Sequence, residues 1–103
     1  MKILICKELY ELWDKIEVDA KEKIEGSLNT IKSINKTQLV NSVETDELQE
    51  IRGIKLYTYK CDKNIFLLLS ILEKNEILVL DIISVIDKKV SFFTKANSSI
   101  TTT

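Results

Sequence analysis

Residues 54–86, IKLYTYKCDKNIFLLLSILEKNEILVLDIISVI, predict three consecutive β-strands joined by two tight turns. Short runs rich in β-branched and aromatic residues, bounded by polar residues, favour strands over a buried helix. Asn75 lies in the second turn and can take the left-handed conformation that hairpins often require. The nearly continuous apolar character of the last two runs places them at the centre of an antiparallel sheet. The three runs are Ile54–Lys60, Ile65–Leu72 and Ile77–Ile86.

A helical hairpin is predicted between an N-terminal strand and this sheet. Lys2–Cys6 is expected to form a short edge strand. Asp19, followed by Glu22, resembles a capping box at the start of the second helix, which is expected to end at Ser33 or Asn35. Apolar residues recur at helical spacing in both helices and are expected to pack on one face of the sheet. They are Leu9, Leu12, Trp13 and Ile16 in the first helix, and Ala20, Ile24, Leu28 and Ile31 in the second.

The remaining segments complete one domain. Residues 35–46 are expected to form a loop with one helical turn at Thr37–Val40. Leu48 and Ile51 are expected to anchor the segment before the sheet, and Gly53 marks a position that needs backbone freedom. The predicted fold class is α+β, with an N-terminal edge strand and a helical hairpin packed on an antiparallel sheet, in a single domain of residues 1–96. Residues 97–103 are expected to be a flexible polar tail.

The composition is that of a globular protein whose core needs no metal or disulfide. Hydrophobic residues make up 45% and charged residues 30% of the 103 residues. Two cysteines and no histidine make neither a disulfide framework nor a zinc site. No stretch is typical of a signal peptide or a membrane span, so a cytoplasmic protein is expected. The net charge of −1 is not that of a general nucleic-acid binder, although lysines gather in the second half.

The order of these elements resembles the RelE/ParE superfamily of type II toxin–antitoxin toxins. The segment LICKELYELWDKIEVDAKEKIEGSLNTI resembles the strand and helical hairpin with which those toxins begin. LQEIRG resembles their short segment before the sheet, and LYTYKCDKNIFLLLSILEKNEILVLDIISVIDKK resembles their strand-turn-strand core. The likeness extends over residues 1–93. It implies a RelE/ParE-like fold and a cognate antitoxin protein as a partner.

The function that this resemblance implies is growth inhibition. RelE-type members cut messenger RNA at the ribosome without a metal or other cofactor, and ParE-type members poison DNA gyrase. In such RNA cleavage the ribose 2′-hydroxyl attacks the neighbouring phosphate, so the site must bind that phosphate and stabilise its extra charge. The resemblance implies a RelE-like toxin that acts on messenger RNA at the ribosome. Two alternatives stay open: a gyrase-poison-like protein that binds a protein target, and an inactive homologue that only binds its partner.

The family's site is incomplete when its positions are transferred to this sequence. Two lysine positions of the first sheet strand correspond to Thr58 and Lys60. The arginine of the middle strand falls at Phe66, and the arginine after the third strand falls at or near Lys88. Lysine lacks the bidentate fork of arginine and is not an equal substitute for binding a phosphate. The resemblance therefore leaves open whether the chain is an endoribonuclease.

These positions define the site that is expected from the sequence. Lys60 and Lys88 are the expected catalytic residues, with ammonium groups that converge on one phosphate. The family's late tyrosine falls at Phe92 or Phe93. Asp81 is expected to face solvent, and Arg52, the only arginine, is expected to be a surface residue. The expected substrate-binding residues are Lys55, Lys63, Tyr59 and Phe93.

Overall fold

The structure is a computed structural model that describes residues 1–98. Residues 99–103, which hold most of the expected polar tail, lie outside the described residues. Within residues 1–98, no helix is long and apolar enough to cross a membrane. The elements in chain order are β1 (Lys2–Ile5), α1 (Lys7–Glu11), a 3₁₀ turn (Trp13–Lys15), α2 (Val18–Lys32), α3 (Lys36–Val40), β2 (Thr45–Ile51), β3 (Ile54–Asp62), β4 (Ile65–Leu72), β5 (Glu76–Ile86), β6 (Lys89–Phe92) and α4 (Phe93–Ser98).

The six strands form one sheet in the order β1-β5-β4-β3-β2. β3, β4 and β5 form the antiparallel meander that the sequence predicts. β1 runs parallel to the first part of β5, and β6 pairs with the last part of β5. The predicted α+β class is confirmed, with β1 at one edge of the sheet.

The core lies between the helices and one face of the sheet. Ile24 and Ile31 of α2 and Leu39 of α3 have no exposed surface. Full burial of one such side chain contributes about 1.5–3 kcal/mol. Trp13 and Leu28 pack against the same cluster and stay partly exposed. The helices therefore cover the sheet through the predicted apolar positions. The buried sheet residues that they meet are Tyr59, Leu67, Leu69, Ile77, Val79 and Ile82.

The helix boundaries depart from the sequence prediction. The first predicted helix is divided into α1 and the 3₁₀ turn. α2 is preceded by Glu17, which makes no side-chain capping bond, so the prediction that Asp19 caps this helix was wrong. Asp19 instead lies in the first turn of α2, where the helix dipole favours a negative charge. A capping box does form at α3, where Asn35 and Gln38 each accept a hydrogen bond from the other's backbone N–H.

β2 is a strand where the sequence predicted only a connecting segment. It joins β3 through Arg52 and Gly53, whose φ angles are +51° and +82°. Positive φ at both turn residues is the type I′ geometry that matches the twist of hairpin strands, which confirms that Gly53 needs backbone freedom. Leu48 and Ile51 are 51% and 47% exposed. The prediction that they anchor this segment was wrong, because their strand lies at the edge of the sheet.

Three strand pairs carry a register shift, one of them within β2, and the shifts in β3 and β5 change which side chains of the central strands face the helices. Cys61 is the extra residue on β3, and Leu80 is the extra residue on β5. An extra residue reverses the alternation of all the side chains beyond it. Asp62 therefore turns to the helix-covered face, and Asp81 turns to the opposite face.

Candidate functional site

One face of the sheet is not covered by α1, α2 or α3, and we call it the open face. Tyr57 and Tyr59 of β3 join the core under the helices. Because side chains alternate along a strand, the residues between and beside them point to the open face. The register of the strands extends this face to the following residues: Leu56, Thr58, Lys60, Phe66, Leu68, Ser70, Leu78, Asp81, Ile83 and Phe92.

Four of these residues lie side by side across the sheet, and we call them the open-face row. Lys60 of β3 pairs with Phe66 of β4, Phe66 pairs with Ile83 of β5, and Ile83 pairs with Phe92 of β6. Lys60 is exposed, and both phenylalanines are partly exposed. At about 4.8 Å between neighbouring strands, the row extends over roughly 14 Å. It presents one cation and two aromatic rings on a single surface.

A second cation lies at the other end of the row. The Lys95 ammonium nitrogen is 5.7 Å from the centre of the Phe92 ring. This distance lies within the range of a cation–π interaction. Lys60 and Lys95 thus flank the aromatic part of the row, with Ile83 buried between the two rings.

The structure separates the two lysines that the sequence placed at one phosphate. Lys88 lies with Asp87 in the two-residue turn between β5 and β6, where both have positive φ. This turn lies roughly 10 Å beyond Ile83 along β5 and about two strand spacings, or 10 Å, across from β3. Lys63 lies in the β3–β4 turn, on the same hairpin as Lys60. Among the expected lysines, Lys60 and Lys63 therefore share a hairpin, whereas Lys88 belongs to a different one.

Three expected substrate-binding residues lie on the helix-covered side. Tyr59 is 6% exposed within the core, and burial raises the pKa of its hydroxyl above 10.0. Lys55 alternates to the same side as Tyr59 and forms an ion pair with Glu47 at 3.6 Å. Phe93 packs against the core cluster. Tyr59 therefore lies on the opposite side of the sheet from the open-face row, and of the two phenylalanines Phe92 belongs to that row whereas Phe93 does not.

Asp81 is buried rather than exposed to solvent, which corrects the prediction from the sequence. It is 6% exposed, and its carboxylate accepts hydrogen bonds from the backbone N–H and the hydroxyl of Thr94 at 3.0 and 2.7 Å. The backbone N–H of Ile82 donates a further bond to it at 2.8 Å. The carboxylate thereby attaches the first turn of α4 to β5. Since α4 also carries Lys95, Asp81 positions one end of the open-face row.

An ion pair fixes the β3–β4 hairpin beneath the other end of the row. The Lys23 ammonium group of α2 donates a hydrogen bond to the Asp62 carboxylate at 2.7 Å. This bond lowers the pKa of Asp62 below 3.8 and raises the pKa of Lys23 above 10.5. No pattern in the sequence indicates this contact, because the Cys61 bulge is what turns Asp62 toward α2.

The cysteines and carboxylates offer little further chemistry. Burial raises the pKa of the Cys61 thiol to about 11, so it stays protonated at neutral pH and is a poor nucleophile. Across the described residues 1–98, no group of His, Cys, Asp and Glu side chains could hold a metal ion.

The chemistry of the open-face row suits the binding of a single nucleic-acid strand more than proton transfer. Lysine ammonium groups can contact phosphates, and aromatic rings can stack on bases for about 1–3 kcal/mol per base. The chain has no histidine, the side chain whose ordinary pKa best suits acid–base work at neutral pH. Tyr59, the tyrosine nearest the row in sequence, is buried on the other face.

Comparison with solved structures identifies the architecture. A chain in the crystal structure of an archaeal RelE–RelB complex from Pyrococcus horikoshii OT3 matches with a TM-score of 0.58. The match covers 79% of this chain and 90% of that chain, at 11% sequence identity. The fold is RelE-like. The fold that the element order implied is thus confirmed, whereas 11% identity carries no residue roles from one protein to the other. No family model and no curated protein sequence matches the chain.

Proposed function

We propose that this chain is the toxin of a type II toxin–antitoxin system, which acts in the cytoplasm on messenger RNA at the ribosome. The observation that carries the proposal is the open-face row, in which Lys60, Phe66 and Phe92 lie together on the open face of a RelE-like fold. The similar solved structure is a RelE–RelB complex. That similarity supports a cognate antitoxin protein as the partner of this chain.

Each residue of the row has a role in this proposal. Lys60 contacts a phosphate of the RNA strand, while Phe66 and Phe92 stack on bases. Lys63 and Lys88 lie in turns outside the row. In this proposal they therefore contact phosphates of the same RNA strand other than the one that Lys60 contacts. The binding is therefore electrostatic and aromatic, and it requires neither a metal nor another cofactor.

Cleavage of the bound RNA is proposed to be slow or absent. Phe66 occupies the position where the resemblance places an arginine, so the charge that would grip the reacting phosphate is missing. The chain also offers no histidine to the row, and Tyr59 is buried. A toxin of this kind would block translation mainly by occupying messenger RNA at the ribosome.

A second candidate is a toxin that binds a protein target. Next to the row, toward the turn that joins β2 to β3, the open face carries the apolar side chains of Leu56, Leu68 and Leu78. Such a surface is typical of contacts between proteins rather than contacts with RNA. Growth arrest without any effect on messenger RNA would favour this candidate.

The test is induced expression in a bacterial host, with growth and ribosome-dependent messenger cleavage measured together. We expect growth arrest by the wild type with weak or undetectable cleavage. Lys60→Ala should lower whatever cleavage occurs by about 10- to 1000-fold, the range for one lost electrostatic contact. Lys88→Ala should have a smaller effect because it lies outside the row.

Lys32→Ala is the matched control, since it removes an exposed lysine at the end of α2 on the helix side. It should arrest growth like the wild type. Growth arrest that neither Lys60→Ala nor Lys88→Ala relieves would move the protein to the protein-binding candidate. A wild type that neither arrests growth nor cleaves messenger RNA would contradict a toxin role and leave a protein that only binds its partner.

The partner is tested by co-expression with the product of the neighbouring gene. Size-exclusion chromatography should show one stable complex. Elution of the two proteins as separate species would count against the toxin–antitoxin proposal.

A further inference from the structure

β2 leaves one edge of the sheet without a partner strand. It ends the strand order and, among residues 1–98, pairs only with β3. Every residue of β2 after Thr45 is exposed. The outward backbone N–H and C=O groups of an edge strand can form a ladder with another extended chain. The outer edge of β2 is therefore a surface on which a strand can be added.

Exposed apolar side chains lie on this edge and beside it. Leu48 and Ile51 are 51% and 47% exposed, and Val43 just before the strand is 91% exposed. A groove of about 740 Å³ opens beside the hairpin on the open face. It continues the apolar surface inward from β2. Its apolar lining consists of Ile51, Ile54, Leu56, Tyr57, Ile71, Leu72, Leu78 and Leu80.

Acidic residues are concentrated along β2 itself, whereas the adjoining turn and β3 carry the cations of Arg52 and Lys55. Residues 43–51 contain Glu44, Asp46, Glu47 and Glu50 and no lysine or arginine. One of these carboxylates, that of Glu47, forms an ion pair with Lys55 of β3. Pairing of two copies through β2 would bring carboxylates against carboxylates, which is unfavourable. A nucleic-acid strand would be repelled for the same reason.

We propose that the outer edge of β2 binds an extended, lysine- or arginine-rich segment of a partner protein as an added strand. The segment's basic side chains meet Glu47 and Glu50, and its apolar side chains cover Leu48 and Ile51 at the mouth of the groove. Backbone bonds supply affinity, and the charge pattern selects the partner. The inference rests on the proposed function only for the identity of this partner, the antitoxin that neutralises the toxin.

The probe is a ten-residue peptide in which lysine alternates with valine, added to the isotopically labelled full chain. Backbone amide resonances should shift mainly within Thr45–Ile51 and the groove. A peptide with two central prolines, which cannot complete the ladder, should bind at least about 10-fold more weakly. Equal binding of the proline peptide, or shifts confined to other surfaces, would overturn the proposal.

Two charge-reversed variants of the protein provide a second test. Glu47→Lys combined with Glu50→Lys should weaken binding of the lysine–valine peptide by about 10-fold or more. Glu22→Lys combined with Glu25→Lys makes the same charge change on exposed positions of α2 and should leave binding within about twofold, the spread expected for distant surface charges. Similar losses of peptide binding in both variants would show that the peptide binds by general charge attraction, and would refute a specific site at β2.

The β2 site and the toxin role can be tested independently of each other. The β2 variant should arrest growth as strongly as the wild type, because it leaves the open-face row unchanged, but co-expressed partner should no longer relieve the arrest. Peptide binding by a wild type that does not arrest growth would support the β2 site and reject the toxin role. Growth arrest relieved equally by the partner in both variants would reject the β2 site alone.

Discussion

The buried carboxylate of Asp81 accepts two hydrogen bonds from Thr94, one from its hydroxyl at 2.7 Å and one from its backbone N–H at 3.0 Å. This relationship joins the middle of β5 to the first turn of α4. It lies on the same face as the open-face row and close to its Phe92 end, since the chain passes from Phe92 through Thr94 to Lys95. The position of the second cation thus depends on a buried carboxylate, which acts through Thr94, the residue before that cation in α4.

Removal of the Thr94 hydroxyl should destabilise the protein. Thr94→Val leaves the Asp81 carboxylate with fewer partners, and a hydrogen bond to a charged group contributes about 1.5–3 kcal/mol. Thr94→Ser keeps the hydroxyl and should recover most of this free energy of unfolding. The exposed Thr37→Val in α3 serves as the control and should stay within about 0.5 kcal/mol of the wild type. Urea unfolding measures all three, and an unchanged Thr94→Val would contradict the buried bond.

The two apolar positions of α2 should differ in their contribution to stability. Ile31 has no exposed surface, so Ile31→Ala should cost about 2–5 kcal/mol. Leu28 is partly exposed at the edge of the core, and Leu28→Ala should cost less because its site is already open to water. Equal losses for the two variants in urea unfolding would show that α2 is rotated relative to the sheet.

The Lys23–Asp62 bond should make stability depend on pH at both extremes. The pKa of Asp62 is lowered in the folded protein mainly by its hydrogen bond to Lys23, so its contribution is present above 3.8 and is lost as the pH falls through the folded value. The pKa of Lys23 is raised mainly by the same bond, so that contribution is present below 10.5 and is lost as the pH rises through the folded value. Asp62→Asn should remove both dependences.

The measurement is the difference in free energy of unfolding between the wild type and Asp62→Asn across pH. The difference should be constant near neutrality and shrink toward strongly acid and strongly alkaline pH. Asp46→Asn, which removes an exposed carboxylate from β2, should give no such profile. A difference that persists unchanged below the folded pKa of Asp62 would argue that the bond does not form in solution.

Restoration of a cation at the centre of the row should increase RNA cleavage. Phe66 lies beside Lys60, so Phe66→Arg would place a guanidinium fork next to the ammonium group that we propose contacts the phosphate. One such electrostatic contact is worth about 10- to 1000-fold in rate. Phe66→Leu, which adds no charge, should not cleave faster than the wild type. No gain from Phe66→Arg in the ribosome-dependent assay would mean that the row does not hold the reacting phosphate.

The central strands could be predicted from the sequence because their signals are local. Apolar runs bounded by polar turns identify β3, β4 and β5, and the left-handed Asn75 was placed correctly, with φ of +59°. β2 gave no such signal, because TDELQEI lacks alternation and becomes a strand only by pairing with β3. Its acidic residues lie at an edge, where charge is tolerated.

The candidate site was harder to predict because it depends on register and bulges. The alternation along β3 places Lys60 on the open face and places Tyr59 and Lys55 on the helix-covered face. A site predicted from residue type alone does not take this difference into account. Simple alternation would place Asp81 on the same face as Val79, and the bulge at Leu80 turns it away. Neither bulge is visible in the sequence, and the Thr94 partner lies 13 residues further along the chain.

Cosedimentation of the protein with ribosomes that carry messenger RNA measures directly whether the open-face row binds RNA. Wild type and Lys32→Ala should cosediment with these ribosomes. Lys60→Ala should bind at least about 10-fold more weakly, and the salt dependence of its binding should correspond to one fewer phosphate contact. Ribosomes without messenger RNA should retain much less of the wild type. Equal retention of wild type and Lys60→Ala, or equal retention of the wild type with and without messenger RNA, would show that the open-face row does not bind RNA.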